Sequence, residues 1–161
     1  MKDIVKKALE EQMNKEFFSA YLYLHLSNCL NEQSLDGFSH WLRLQAQEEL
    51  DHAIRILDYL LERDAGVTLA KIDAPLPACP TAKVAFEEAY AHEQFITRSI
   101  NEVLELAQKE GDHATAVFLH WFVTEQVEEE DTTRAIVGKL DLIGDNIGLL
   151  FALDKELGAR S

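Results

Sequence analysis

Residues that break helices are scarce in this chain. Only seven glycines and three prolines occur in 161 residues, and the three prolines (Pro75, Pro77 and Pro80) share one stretch. No segment alternates apolar and polar residues as a half-buried strand would. Basic residues are also few: 15 Lys and Arg against 29 Asp and Glu leave a net charge of −14. That balance argues against binding a nucleic-acid backbone, which needs a basic face. The two cysteines, Cys29 and Cys79, have neither metal-type spacing nor the density of a disulfide framework. The expectation is two reduced thiols in a cytoplasmic protein. Long apolar runs are missing as well. The longest uncharged run, Phe17 to Asn31, contains Ser, Asn and His and is too short to span a bilayer. The first residues, Met1-Lys2-Asp3-Ile4-Val5-Lys6-Lys7, carry charge and no apolar signal segment. A soluble protein with no membrane association is expected.

Hydrophobic residues nevertheless make up 47% of the chain, enough for a substantial core and too many for a disordered acidic tail. The length fits one domain over 1–161. Segments rich in Ala, Leu, Glu and Gln, all good helix formers, predict four long helices: α1 over about 3–32, α2 over 36–63, α3 over 81–109 and α4 over 112–138. A shorter α5 over about 145–156 follows Gly144. Short links make α1–α2 and α3–α4 antiparallel hairpins. Between α2 and α3, Asp64 to Pro80 has no helical period. Extended, that segment reaches about 55 Å, against about 42 Å for a helix of this length. It can therefore return along the whole bundle. The fold class is all-α: a four-helix bundle with one long crossover and a short fifth helix.

Stripes at steps of three and four residues show what faces the core. They read Val5, Leu9, Met13, Glu16, Ala20, Tyr23, Ser27, Leu30 on α1 and Phe38, Leu42, Gln45, Glu49, His52, Ile56, Leu60 on α2. On α3 the stripe is Phe86, Ala89, Glu93, Ile96, Ile100, Val103, Ala107, and on α4 Leu119, Phe122, Gln126, Glu129, Thr133, Ile136, Leu140. Each is apolar at its ends and ionisable or amide-bearing at its middle. Midpoints of packed helices of similar length lie at one level, so Glu16, Glu49, Glu93, Glu129 and His52 converge. No Lys or Arg falls on any stripe to offset the acids. Buried like charges are costly, and bound metal is the natural compensation. Carboxylates with one imidazole suit iron, manganese or zinc, and a shared Glu suits a dinuclear site.

From Ile4 to about Leu157 the chain resembles the ferritin family, specifically the haem-free ferritins of bacteria. The motifs that carry the likeness are Glu16, Glu-Glu-Leu-Asp-His at 48–52, Glu93, and Thr-Glu-Gln-Val-Glu-Glu-Glu at 124–130. The resemblance implies ferroxidase activity and iron storage. Glu16, Glu49 and His52 would hold one iron, and Glu49 would bridge to a second completed by Glu93 and Glu129. Gln126 would stand beside the pair to hydrogen-bond an oxygen species or water, with Tyr23 next to the centre. Glu48, Glu125, Glu128 and Glu129 match a possible third iron site; Glu48, about 100° around α2 from Glu49, points away from the pair. Haem is not expected, because Leu50 follows Glu49 where bacterioferritins place a haem-ligating methionine. Gln126-x-x-Glu129 likewise departs from their more symmetric centre. Ala114 to Leu119 contains no acid, unlike the pore-lining segment of animal ferritins, so the path of iron uptake is left open. His25, His40, His92, His113 and His120 read as structural or surface residues.

By the same resemblance, iron(II), with O₂ or peroxide as oxidant, would be the substrates, and about 24 identical subunits would close a shell around the mineral. The apolar residues of α5, Ile147, Leu149, Leu150, Phe151 and Leu153, would be partly exposed on a lone bundle and so mark an interface. Three rivals remain at this point. A mini-ferritin would lack α5 and build its site between subunits. A shell subunit without a catalytic centre would lack the ligand set. A di-iron oxygenase would need a longer chain for its substrate pocket.

Overall fold

The computed structural model describes residues 1–75 and 78–161. Its helices are α1 (Asp3–Glu32), α2 (Asp36–Glu62), α3 (Ala82–Lys109), α4 (His113–Ile143) and α5 (Ile147–Leu157). Backbones approach most closely between α1 and α2, α3 and α4, and α1 and α3, while α5 docks on α2. This is an all-α four-helix bundle with a crossover between α2 and α3 and a short fifth helix.

Local chemistry sets the boundaries. The Thr81 hydroxyl accepts from Val84 N and caps α3, and Asp112 accepts from Thr115 N at the start of α4. Asp112 also takes a forked pair of hydrogen bonds from Arg63 at 3.1 and 3.3 Å, pinning the end of α2 to the start of α4. Helix α4 continues past Gly138, where the sequence predicted its end. The cost of one interior glycine is outweighed by Ile136 and Leu140, both buried in the core. It stops at Gly144, whose φ of +53° is open to glycine at little cost.

Every residue of the four predicted stripes is buried. The apolar ones form two separate clusters. One, at the α5 end, gathers Leu26, Leu30, Phe38, Trp41, Leu42, Phe86, Ile136 and Leu140. The other, at the opposite end, gathers Val5, Leu9, Met13, Ile56, Leu60, Ile96, Ile100 and Phe122. Between them lies a polar belt.

Two expectations fail. Cys29 and Cys79 are joined in a disulfide, their Cα atoms 5.1 Å apart. They are 50 residues apart along the chain, but the crossover returns alongside α1 and brings them within bonding range. On α5, Ile147, Leu149 and Phe151 are exposed as expected, whereas Leu153 is buried against the α5-end cluster.

Candidate metal centre

The polar belt takes one or two ionisable groups from each long helix. α1 supplies Glu16, α2 supplies Glu49 and His52 one turn apart, α3 supplies Glu93, and α4 supplies Glu129 with Gln126 one turn earlier. None of the four acids or the histidine is more than 6% exposed. Ligand atoms of Glu16, Glu49 and His52 lie within 4.8 Å of one another, and so do those of Glu49, Glu93 and Glu129. Glu49 belongs to both groups. A third group, His52, Glu125 and Glu129, meets the same limit on the side where Glu125 is only half-buried.

Amides and one phenol hold these acids; no lysine or arginine among the described residues pairs with them. Gln12 Nε2 donates to Glu16 Oε1 at 2.7 Å, while Glu16 Oε2 is buried and meets no donor among the described residues. Gln45 Nε2 donates to Glu49 Oε1 at 3.1 Å and to Glu129 Oε2 at 2.7 Å. Glu93 accepts from the Tyr23 hydroxyl and, at 3.1 Å, from Gln126 Nε2. His52 Nδ1 stands 3.4 Å from Glu49 Oε2, its ring set edge-on to Trp121 and Phe122.

Without a cation, such a cluster keeps its protons. Burial, then the neighbouring Glu49, pushes the Glu16 carboxyl up to about 8. Burial, with Glu49 and Glu93 beside it, pushes Glu129 up to about 9. Glu49 and Glu93 are raised as well, again chiefly by burial. Burial also holds the Tyr23 phenol well above its ordinary value. An orphaned buried carboxylate oxygen and four acids of raised pKa in oxygen-rich surroundings fit hard or borderline cations, and the single imidazole favours iron, manganese or zinc.

The sequence also pointed to Glu48 and Glu128, and the structure treats these differently. Glu48 lies close enough to raise both Glu49 and Glu129, but its carboxylate is engaged by Arg160 at 2.6 Å. Glu128 is exposed and lines an open cleft between α3 and α4 with Tyr90, Thr97 and Arg134. Neither joins a ligand group. Of the other histidines, His92 is bonded to Ser19 Oγ at 2.7 Å and pushed by burial down to about 4. His40 meets the Arg160 carbonyl at 2.9 Å. Gln12 and Arg160 were not foreseen. Gln12 lies off the traced stripe, one residue before Met13, and Arg160 lies beyond every predicted helix.

Residues 6–143 match the family model for the ferritin-like domain. A bacterial non-heme ferritin of Campylobacter jejuni is 43% identical over 153 residues, covering 95% of this chain and 92% of its own. One from Staphylococcus haemolyticus is 38% identical over 160 residues, covering 99% and 96%. Among solved structures, an open-pore ferritin from the hyperthermophilic archaeon Archaeoglobus fulgidus superposes with a TM-score of 0.98 at 43% identity, covering 100% of this chain and 98% of its own. With a family model over most of its length, haem-free relatives matched nearly end to end and a bundle that superposes on a solved ferritin, the chain belongs to the ferritin family and stands among its haem-free members.

Proposed function

We propose that the protein is an iron-storage subunit that oxidises iron(II) at an intrasubunit pair of sites and passes the product to a mineral. The observation that carries this reading is the pair of buried ligand groups sharing Glu49, beside a Glu16 oxygen that meets no donor among the described residues. In it, Glu16, Glu49 and His52 bind one iron(II), and Glu49, Glu93 and Glu129 the other. Binding requires the acids to ionise, so Glu16 and Glu129 release protons as the metal enters. Each iron(II) gives up one electron. O₂ takes two electrons and two protons to leave hydrogen peroxide; a peroxide takes two of each to leave two waters. Tyr23 and Gln126 hold Glu93 in place, and Gln126 borders the open cleft between α3 and α4.

Beside the pair, Glu125, Glu129 and His52, with Glu48, would form a third site on the α2–α4 side; Glu128 stands outside that ligand group and borders the α3–α4 cleft. The exposed Ile147, Leu149 and Phe151 of α5 favour an assembly, which by family likeness is a cytoplasmic shell of about 24 copies. No helix among the described residues is long and apolar enough to cross a membrane. The test is size-exclusion with light scattering, then aerobic loading with iron(II) followed by absorbance. A large closed particle that oxidises the first irons rapidly is expected. A monomer or dimer at micromolar concentration would remove the shell, and slow oxidation indistinguishable from buffer would remove the ferroxidase.

A further inference from the structure

The C-terminal Arg160 is bound into the acidic α2–α4 side as a cation would be. Its Nη2 donates to Glu48 Oε2 at 2.6 Å and its Nη1 to Gln45 Oε1 at 3.1 Å. The guanidinium lies over the Trp41 ring, 4.7 Å from its centroid. Its carbonyl accepts from His40 Nε2 at 2.9 Å, so both backbone and side chain are anchored. Because a guanidinium only donates, Gln45 must turn its oxygen outward to Arg160. Its NH₂ then faces inward and donates to Glu49 and Glu129. Arg160 thus neutralises one acid of the third site and, through one amide, orients a carboxylate shared by the pair and that site.

We propose that Arg160 is a built-in counter-ion of the third site, which a divalent cation must displace from Glu48 to bind there, and a positioning residue for Glu129. This rests on the third-site reading above. Glu48 and Arg160 keep 45% and 26% of their side-chain surface exposed, and an ion pair so open to water is weak enough to be exchanged. A divalent ion brings twice the charge to the same carboxylate.

The test is anaerobic calorimetric titration of the assembled full-length protein with zinc(II), which binds without redox chemistry. Wild type should show tight sites for the pair and a weaker class beyond it. In Arg160→Gln the weaker class should tighten by about three- to tenfold relative to the pair, and Arg160→Lys, which keeps the charge, should shift it less. In a Glu48→Gln background, Arg160→Gln should no longer tighten the weaker class, an expectation that a purely structural anchor for the tail does not share. An unchanged ratio in Arg160→Gln overturns the proposal and leaves the pair intact. So does wild-type binding that stops at two ions per subunit. Absence of zinc at the pair itself would overturn the ferroxidase reading along with it.

Discussion

Two groups of acids lie side by side in this bundle and handle their charge in opposite ways. Glu16, Glu49, Glu93 and Glu129 are sealed from water and meet only amides, a phenol and an imidazole, so their protons serve as the counter-charge. Glu48, one residue from Glu49 and half-exposed, stays available to solvent and is neutralised by a guanidinium. A site that must surrender protons binds metal in a pH-dependent way; one that must surrender an arginine depends on salt instead. Depth alone, set by a rotation of about 100° along α2, separates the two behaviours.

The most severe break should come from Glu49→Ala, which removes the one side chain common to both buried groups. Initial oxidation of two irons per subunit in stopped flow should fall by about 100-fold or more, and a wild-type rate would separate those groups from the reaction. Acidity gives the next effect. Below pH 7, Glu16 and Glu129 are protonated in the metal-free fold, with pKa values of about 8 and 9 against 4.5 ordinarily. Loading the pair should therefore release at least about two protons, and the product of the two zinc affinities should rise by about 100-fold or more per pH unit between about 6 and 7.5. The same shifts make the metal-free protein lose stability as pH climbs from about 4.5 towards 8–9, because the native state holds more protons than the unfolded chain. Thermal melts across that range check the sign.

Much of this was readable beforehand, and two of the three exceptions share a cause. The stripes through Glu16, Glu49, Glu93 and Glu129 are local, three- and four-residue patterns, and all of them are buried. Gln12, a local partner of Glu16, was missed only because it lies off the traced stripe, but the other two depend on chain segments that meet only after folding. Cys29 finds Cys79 because the crossover returns along α1, and Arg160 finds Glu48 because α5 doubles back on α2. Glu128 belongs to none of the ligand groups and borders the α3–α4 cleft, as Gln126 also does.

Two finer changes sharpen the contrast. His52→Ala should weaken zinc binding at the Glu16–Glu49–His52 group about tenfold or more and at the Glu49–Glu93–Glu129 group less, since of these two only the former contains the imidazole. Competition titrations resolve the two. Smaller still, Glu48→Ala should change the oxidant consumed per iron, measured with an oxygen electrode. Glu128→Ala, which removes no member of the ligand groups, should change it by less than about twofold.

The seat of α5 has a kinetic consequence. At Gly37 the α5 backbone comes so close that an added Cβ would lie 1.7 Å from the Asp154 carbonyl oxygen, and Asp154 Oδ1 accepts from Phe38 N at 2.9 Å. With Leu153 and Leu157 buried beneath it, the helix is already locked in place on the single chain. Its outward Ile147, Leu149 and Phe151 are therefore presented in a fixed shape before any neighbour arrives. Subunits joining through that surface would have no helix to fold on encounter, so association would show no lag from local ordering and would lose little conformational entropy.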